Sequence, residues 1–170
     1  MPAYVALLRA INVGGTGKLA MSDLKALCEE AGFTSVKTYI QSGNVVFASR
    51  LAEAKVKTAL EKSLTAHMGK HHPAIVRNAA EMADVLKRNP FKKEAPNRVI
   101  VSFLEEKPPQ GALDAMVAPG GERAHVSGRE VFVFYGEGMA HSKLKLPILA
   151  RGTGRNINTI AKLAEMAAEI

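Results

Sequence analysis

Strand and helix patterns in the order βαββαβ, a hairpin string that occurs twice, and a similar run of elements around its second copy predict an α+β protein. The architecture they imply is two tandem ferredoxin-like (α-β plait) halves. Residues 1–78 carry the first βαββαβ set. The string Ser42-Gly43-Asn44-Val45-Val46-Phe47 returns as Ser127-Gly128-Arg129-Glu130-Val131-Phe132, sharing S-G-x-x-V-F. The domain plan is a first half over 1–78, a helical linker over 79–97 and a second half over 98–170, an internal duplication.

Ala3–Arg9 is a strand pattern, apolar on both sides from Tyr4 to Leu8, as a central strand requires. A long connection leads to a helix over Ser22–Ala31, with Ser22 as N-cap, Leu24, Leu27, Cys28 and Ala31 on one face, and Gly32 as a stop. Val36–Ile40 and Val45–Ala48 are strands joined by the turn Gln41-Ser42-Gly43-Asn44. The former sets Lys37, Tyr39 and Gln41 on a polar side; the latter is apolar throughout. Ala52–Met68 is a helix aligning Val56, Ala59, Leu60, Ser63 and Leu64 and ending at Gly69, and Ala74–Arg77 is the fourth strand. Helices cover only one face of such a sheet, so apolar residues on the other face require a second cover.

Ala79–Arg88, Asn89-Pro90 and Lys92-Lys93-Glu94-Ala95-Pro96 form the linker. Beyond it Val99–Leu104 reads as a strand, Pro109–Val117 as a helix and Arg123–Val126 as a polar edge strand. After the repeated hairpin string comes a final helix, Asn156–Ala168, burying Ile157, Ile160, Ala161, Ala164 and Ala168. The second half therefore reads βαββα, lacking its last strand.

With 47% hydrophobic and 23% charged residues, the 170-residue chain is neither disordered nor membrane-spanning, and can bury about 70% of its unfolded surface. No stretch approaches the roughly 20 apolar residues of a spanning helix. Met1-Pro2-Ala3-Tyr4-Val5 runs into a strand without a basic leader, and Cys28 has no partner for a disulfide. The expectation is a cytoplasmic protein without membrane partners, a monomer or a homodimer. The net charge of +7 divides into +5 over residues 1–77 and +2 over 78–170, with no run of five like charges. Such dispersed charge serves solubility, and nucleic-acid binding through the basic first half is an alternative.

Chemistry concentrates first in Leu7-Leu8-Arg9-Ala10-Ile11-Asn12-Val13-Gly14-Gly15-Thr16-Gly17-Lys18. Glycines let a backbone approach an anion closely, and a following helix offers free amides. A Walker A loop needs glycine where Asn12 sits and Ser or Thr where Leu19 sits; a dinucleotide fingerprint needs glycine at Ala20. No cofactor is therefore implied. A simpler anion site using loop amides and Lys18 stands beside the reading that the glycines only permit turns. Between repeated halves, the dozen residues from Arg9 to Met21 also outnumber the five from Glu105 to Pro109, which marks the segment as an insertion.

A second polar cluster, Gly152-Thr153-Gly154-Arg155-Asn156-Ile157-Asn158-Thr159, leads into the last helix. Helical spacing puts Arg155, Asn158, Thr159 and Lys162 opposite the apolar stripe. First-turn amides with an arginine suit a phosphate or carboxylate; the alternative is a solvated face with Asn156 or Thr153 as cap. His67 and His71 have no carboxylate to complete a metal set, and Cys28 beside Glu29 and Glu30 on an apolar face is a core thiol. Ser142-Lys143 after His141 is a pair common by chance, and no catalytic residue is assigned.

Leu7–Gly15, then Met21 and Asp23-Leu24, then Thr38-Tyr39-Ile40-Gln41-Ser42-Gly43-Asn44-Val45-Val46-Phe47 closely resemble the bacterial family known as domain of unknown function 1697. Asn89-Pro90-Phe91, Ser142-Lys143-Leu144 and Thr153–Thr159 extend the resemblance over almost the whole chain. It implies two ferredoxin-like halves and no assigned biochemical role. Where that family commonly has Thr-Arg-Asn-Trp-Asn-Thr, this chain has Gly154 before Arg155 and Ile157 in place of the tryptophan.

The expected function is binding of a small phosphate- or carboxylate-bearing ligand between the glycine-rich loop and the last helix. The residues expected to carry it are Asn12, Gly14, Gly15, Lys18, Gln41, Asn44, Lys143, Arg155, Asn156 and Asn158. The alternatives are nucleic-acid binding and an enzyme of unassigned reaction.

Overall fold

The computed structural model describes residues 1–9, 18–40, 43–136 and 138–170. They form eight strands, four α-helices and two 3-10 turns, arranged as two four-stranded antiparallel sheets. Two compact units result: Met1–Ala83 with Lys162–Ile170, and Asp84–Ala161.

In the first unit the order is β1 (Ala3–Leu8), α1 (Met21–Glu30), β2 (Thr34–Tyr39), β3 (Asn44–Ala48), α2 (Glu53–Met68) and β4 (Ala74–Asn78). The sheet runs β2-β3-β1-β4. Tyr4, Ala6 and Leu8 of β1, Val45 and Phe47 of β3, and Ala74 and Val76 of β4 form one core with Leu24 and Cys28 of α1 and Val56, Leu60 and Leu64 of α2. This is strand period two meeting helix period 3.6 across one layer. Phe33 stacks on Phe47 with ring centroids 4.3 Å apart. On the opposite face Val5, Leu7, Val46 and Ile75 are buried as well.

Three local expectations change here. Helix α1 starts at Met21, and the N-cap position is Ala20, which has no side chain able to cap, rather than Ser22. Ile40 lies outside β2 in a left-handed conformation (φ 52°), because the chain must already be turning. Ser35 is left-handed too (φ 52°), within the shift of register between Thr34 and Lys37 that marks a bulge.

Edge strand β4 is tied to α2 at its first residue. The Lys57 ammonium donates to the Ala74 carbonyl (2.7 Å), the Ala74 amide donates to the Glu61 carboxylate (2.9 Å), and Lys57 and Glu61 are themselves paired one helical turn apart.

The second unit holds β5 (Val99–Phe103), β6 (Arg123–Ser127), β7 (Glu130–Phe134) and β8 (Thr153–Asn156), in the sheet order β6-β7-β5-β8. Helix α3 (Ala79–Arg88) and helix α4 (Ile157–Ala168) each pass from one unit's residues to the other's. The last strand that the sequence reading omits is present: β8 pairs with β5 from Ile100↔Asn156 to Phe103↔Thr153. The helix expected over Pro109–Val117 is absent. Amides there reach back three residues, Ala112 to Pro109, Asp114 to Gly111 and Met116 to Leu113, and Gly111 is left-handed (φ 81°), which stops an α-helix. The connection from β5 to β6 is thus a long helix-free segment, and the length contrast read against Arg9–Met21 does not hold. Ala112, Leu113 and Met116 from this segment pack with Leu146 and Ile148 on Leu104, Val131 and Val133.

Candidate functional site

The residues singled out from sequence fall into three groups. Asn12, Gly14, Gly15 and Gln41 lie outside the described residues. Lys18 and Asn44 belong to the first unit; Lys143, Arg155, Asn156 and Asn158 belong to the second.

In the first unit several features gather where β1 ends. The antiparallel register places this end beside the start of β3 (Leu7↔Asn44) and the start of β4 (Leu8↔Ala74). The Leu8 amide donates to the Gly43 carbonyl (2.9 Å) and the Arg9 amide to the Pro73 carbonyl (3.3 Å). Gly43 is left-handed (φ 81°), and a Cβ there would sit 2.9 Å from the Leu8 Cβ. Asn44 is fully buried, and its Nδ2 donates to the Tyr39 carbonyl across the hairpin (3.0 Å). Lys18 is exposed, and α1 begins three residues later without a side-chain cap. The last turn of α2 meets the first turn of α1 through His67 and Asp23 (3.9 Å).

Two residues here were not assigned from sequence. His72, next to Pro73, is 5% exposed, and among the described residues its Nε2 has no hydrogen-bond partner. Burial, then Lys70 and His71, holds its imidazole below the usual 6.5, so the ring is neutral near pH 7. Ile40, a β-branched residue in the left-handed region, is half exposed (50%). Such a conformation is uncommon for a β-branched side chain and costs about 1–3 kcal/mol. The only sequence trace of either is indirect: Pro73 restricts His72 to an extended backbone, and Gly43 marks the turn that Ile40 opens.

In the second unit the helical face expected for Arg155 does not form. Arg155 lies on β8, opposite Val101, and is 8% exposed. Its Nη1 donates to the Thr153 hydroxyl (2.7 Å) and the Gly154 carbonyl (2.9 Å), and burial lowers its pKa to about 10. Thr159, expected on the same solvated face, is buried, and its amide donates to the Asn156 Oδ1 (2.9 Å). Asn156 thus caps α4 and occupies one first-turn amide. Lys143 and Asn158 are exposed, and Ile157 is half-buried as the first residue of α4. The neighbouring Ser142 hydroxyl donates to the buried Glu122 carboxylate (3.0 Å), which fits a loop anchor and leaves no nucleophile paired with Lys143.

Cys28 is fully buried; burial, then Glu29, pushes its thiol up to about 12. Among the described residues, no group of three or more His, Cys, Asp and Glu could hold a metal ion, and no helix is long and apolar enough to cross a membrane.

Two four-stranded antiparallel sheets with four helices define an α+β protein. The chain belongs to the family described as protein of unknown function (DUF1697), whose model matches residues 1–132. Its structure is similar to that of the conserved bacterial protein SP0830 from Streptococcus pneumoniae, with a TM-score of 0.81, 24% identity and 98% of each chain covered. No curated protein matches it.

Proposed function

We propose that the glycine-bearing end of the first unit binds a small anion, a phosphate or a carboxylate. The observation that supports this most is the buried His72 Nε2, which has no partner among the described residues. A neutral imidazole carrying its proton there is a donor in need of an acceptor, and a buried unsatisfied donor is costly. An oxyanion at this sheet end supplies that acceptor, with the Lys18 ammonium and the uncapped first-turn amides of α1 adding favourable charge. Arg155, bonded within its own strand, serves as a structural cation in this reading.

The tandem ferredoxin-like architecture is part of the same reading. Its support is the corresponding strand order of both sheets and the shared S-G-x-x-V-F hairpin, with left-handed Gly43 and Gly128 at equivalent places.

Thermal unfolding with inorganic phosphate, a sugar phosphate and a nucleotide tests the site. A compound at a hundred times its Kd stabilises by about 2.7 kcal/mol, which Lys18→Ala diminishes. Lys18 is exposed, so its replacement leaves the core intact. Failure of every compound to stabilise the parent protein overturns the reading.

A further inference from the structure

The second unit contains a cavity that none of the preceding roles uses. Its volume is about 230 Å³, and it lies between the chain leaving β5 and the 3-10 turn Pro147–Arg151. Leu104 and Ile148, both buried, give it an apolar floor, with Pro108 and Pro109 as stiff walls. Glu105, Glu106, Lys107 and Arg151 stand at its exposed rim. The side chains of Glu106, Lys107 and Arg151 make no hydrogen bond or ion pair among the described residues.

The placement of Arg151 follows from the next residue. A Cβ on Gly152 would lie 2.6 Å from the Ser102 hydroxyl and 2.7 Å from the Phe103 carbonyl. Only glycine lets the 3-10 turn close down on the end of β5, which brings Arg151 and Ile148 against Leu104 and forms the pocket. The Gly152 amide, donating to the Leu149 carbonyl (3.2 Å), holds the turn shut.

We infer that this cavity binds a free α-amino acid with an aliphatic side chain. The cavity holds about 230 Å³ and adjoins two further recesses that share Pro109 with it. Two acids and two bases around an apolar floor match one small molecule with an ammonium, a carboxylate and a hydrocarbon body. The carboxylate pairs with the planar Arg151 fork, the ammonium with Glu106, and the side chain covers Leu104 and Ile148.

Titration of the whole chain with leucine, followed through backbone amide NMR shifts, tests this. Saturable shifts are expected in residues 104–111 and 147–152. Binding weakens about tenfold or more in Arg151→Ala, and equally for 4-methylpentanoate and isopentylamine, which each lack one charge. The exposed position of Arg151 keeps the variant folded, which the remainder of its spectrum verifies. Absence of saturable shifts overturns the inference, as does equal binding by Arg151→Ala or by either single-charge analogue.

Discussion

Arg88, at the end of α3, donates through Nη2 to the Glu130 carboxylate and through Nη1 to both the carbonyl and the hydroxyl of Ser127. One guanidinium thereby spans the β6–β7 hairpin at the second copy of the repeated string. Glu130 occupies the position that Val45 holds in the first copy, and its side chain is only 4% exposed.

A carboxylate so placed depends on its partner. Arg88→Ala removes the guanidinium from the buried Glu130 side chain, and lowers stability by about 3 kcal/mol in urea unfolding. Arg88→Lys recovers only part of this, since an ammonium cannot reproduce the fork. An alanine variant within about 0.5 kcal/mol of the parent contradicts the assignment.

The two glycines of the repeated string differ in what surrounds them. Gly43→Ala meets a left-handed backbone and the Leu8 Cβ at 2.9 Å, whereas Gly128→Ala meets a left-handed backbone with nothing nearer than 3.7 Å. The second change costs the conformational penalty alone, about 1–2 kcal/mol, and the first costs more. Equal losses in parallel denaturation curves refute the difference in packing.

His72 makes stability depend on pH. Its folded-state pKa is depressed below the ordinary 6.5, so the stability it contributes is present above that value and is lost as pH falls through the lowered one. Melting temperature therefore falls more steeply from about pH 7.5 to pH 5 in the parent than in His72→Gln. Parallel curves remove His72 from the acid response. Bound phosphate, on the proposed reading, raises the melting temperature of the parent more than that of the variant.

The first sheet was legible because its strands and helices obey clear apolar periods, from Tyr4–Leu8 through Val56, Leu60 and Leu64. The second was less so. Thr153–Asn156 is short, contains a glycine and a charge, and resembles a helix approach; pairing with β5 makes it a strand, a fact held in Ile100–Phe103 and not in its own residues. Pro109–Val117 has helical spacing of apolar residues, yet Gly111 and successive three-residue turns claim it. At the candidate site, Lys18 and the turn at Gly43 were visible as types and spacings. The orphaned Nε2 of His72 was not, because burial by distant elements leaves no mark at position 72.

The clamp of Lys57 and Glu61 on Ala74 has a consequence for how this protein meets its own copies. An outer strand usually offers unused amides and carbonyls on which another chain can extend the sheet. Here the first rung of β4 is already occupied, donor and acceptor alike, by side chains of the same unit. A strand arriving at that rung must displace an ammonium and a carboxylate before it can form one bond. The α2 helix thus guards the open margin of the first sheet against the intermolecular pairing that begins aggregation.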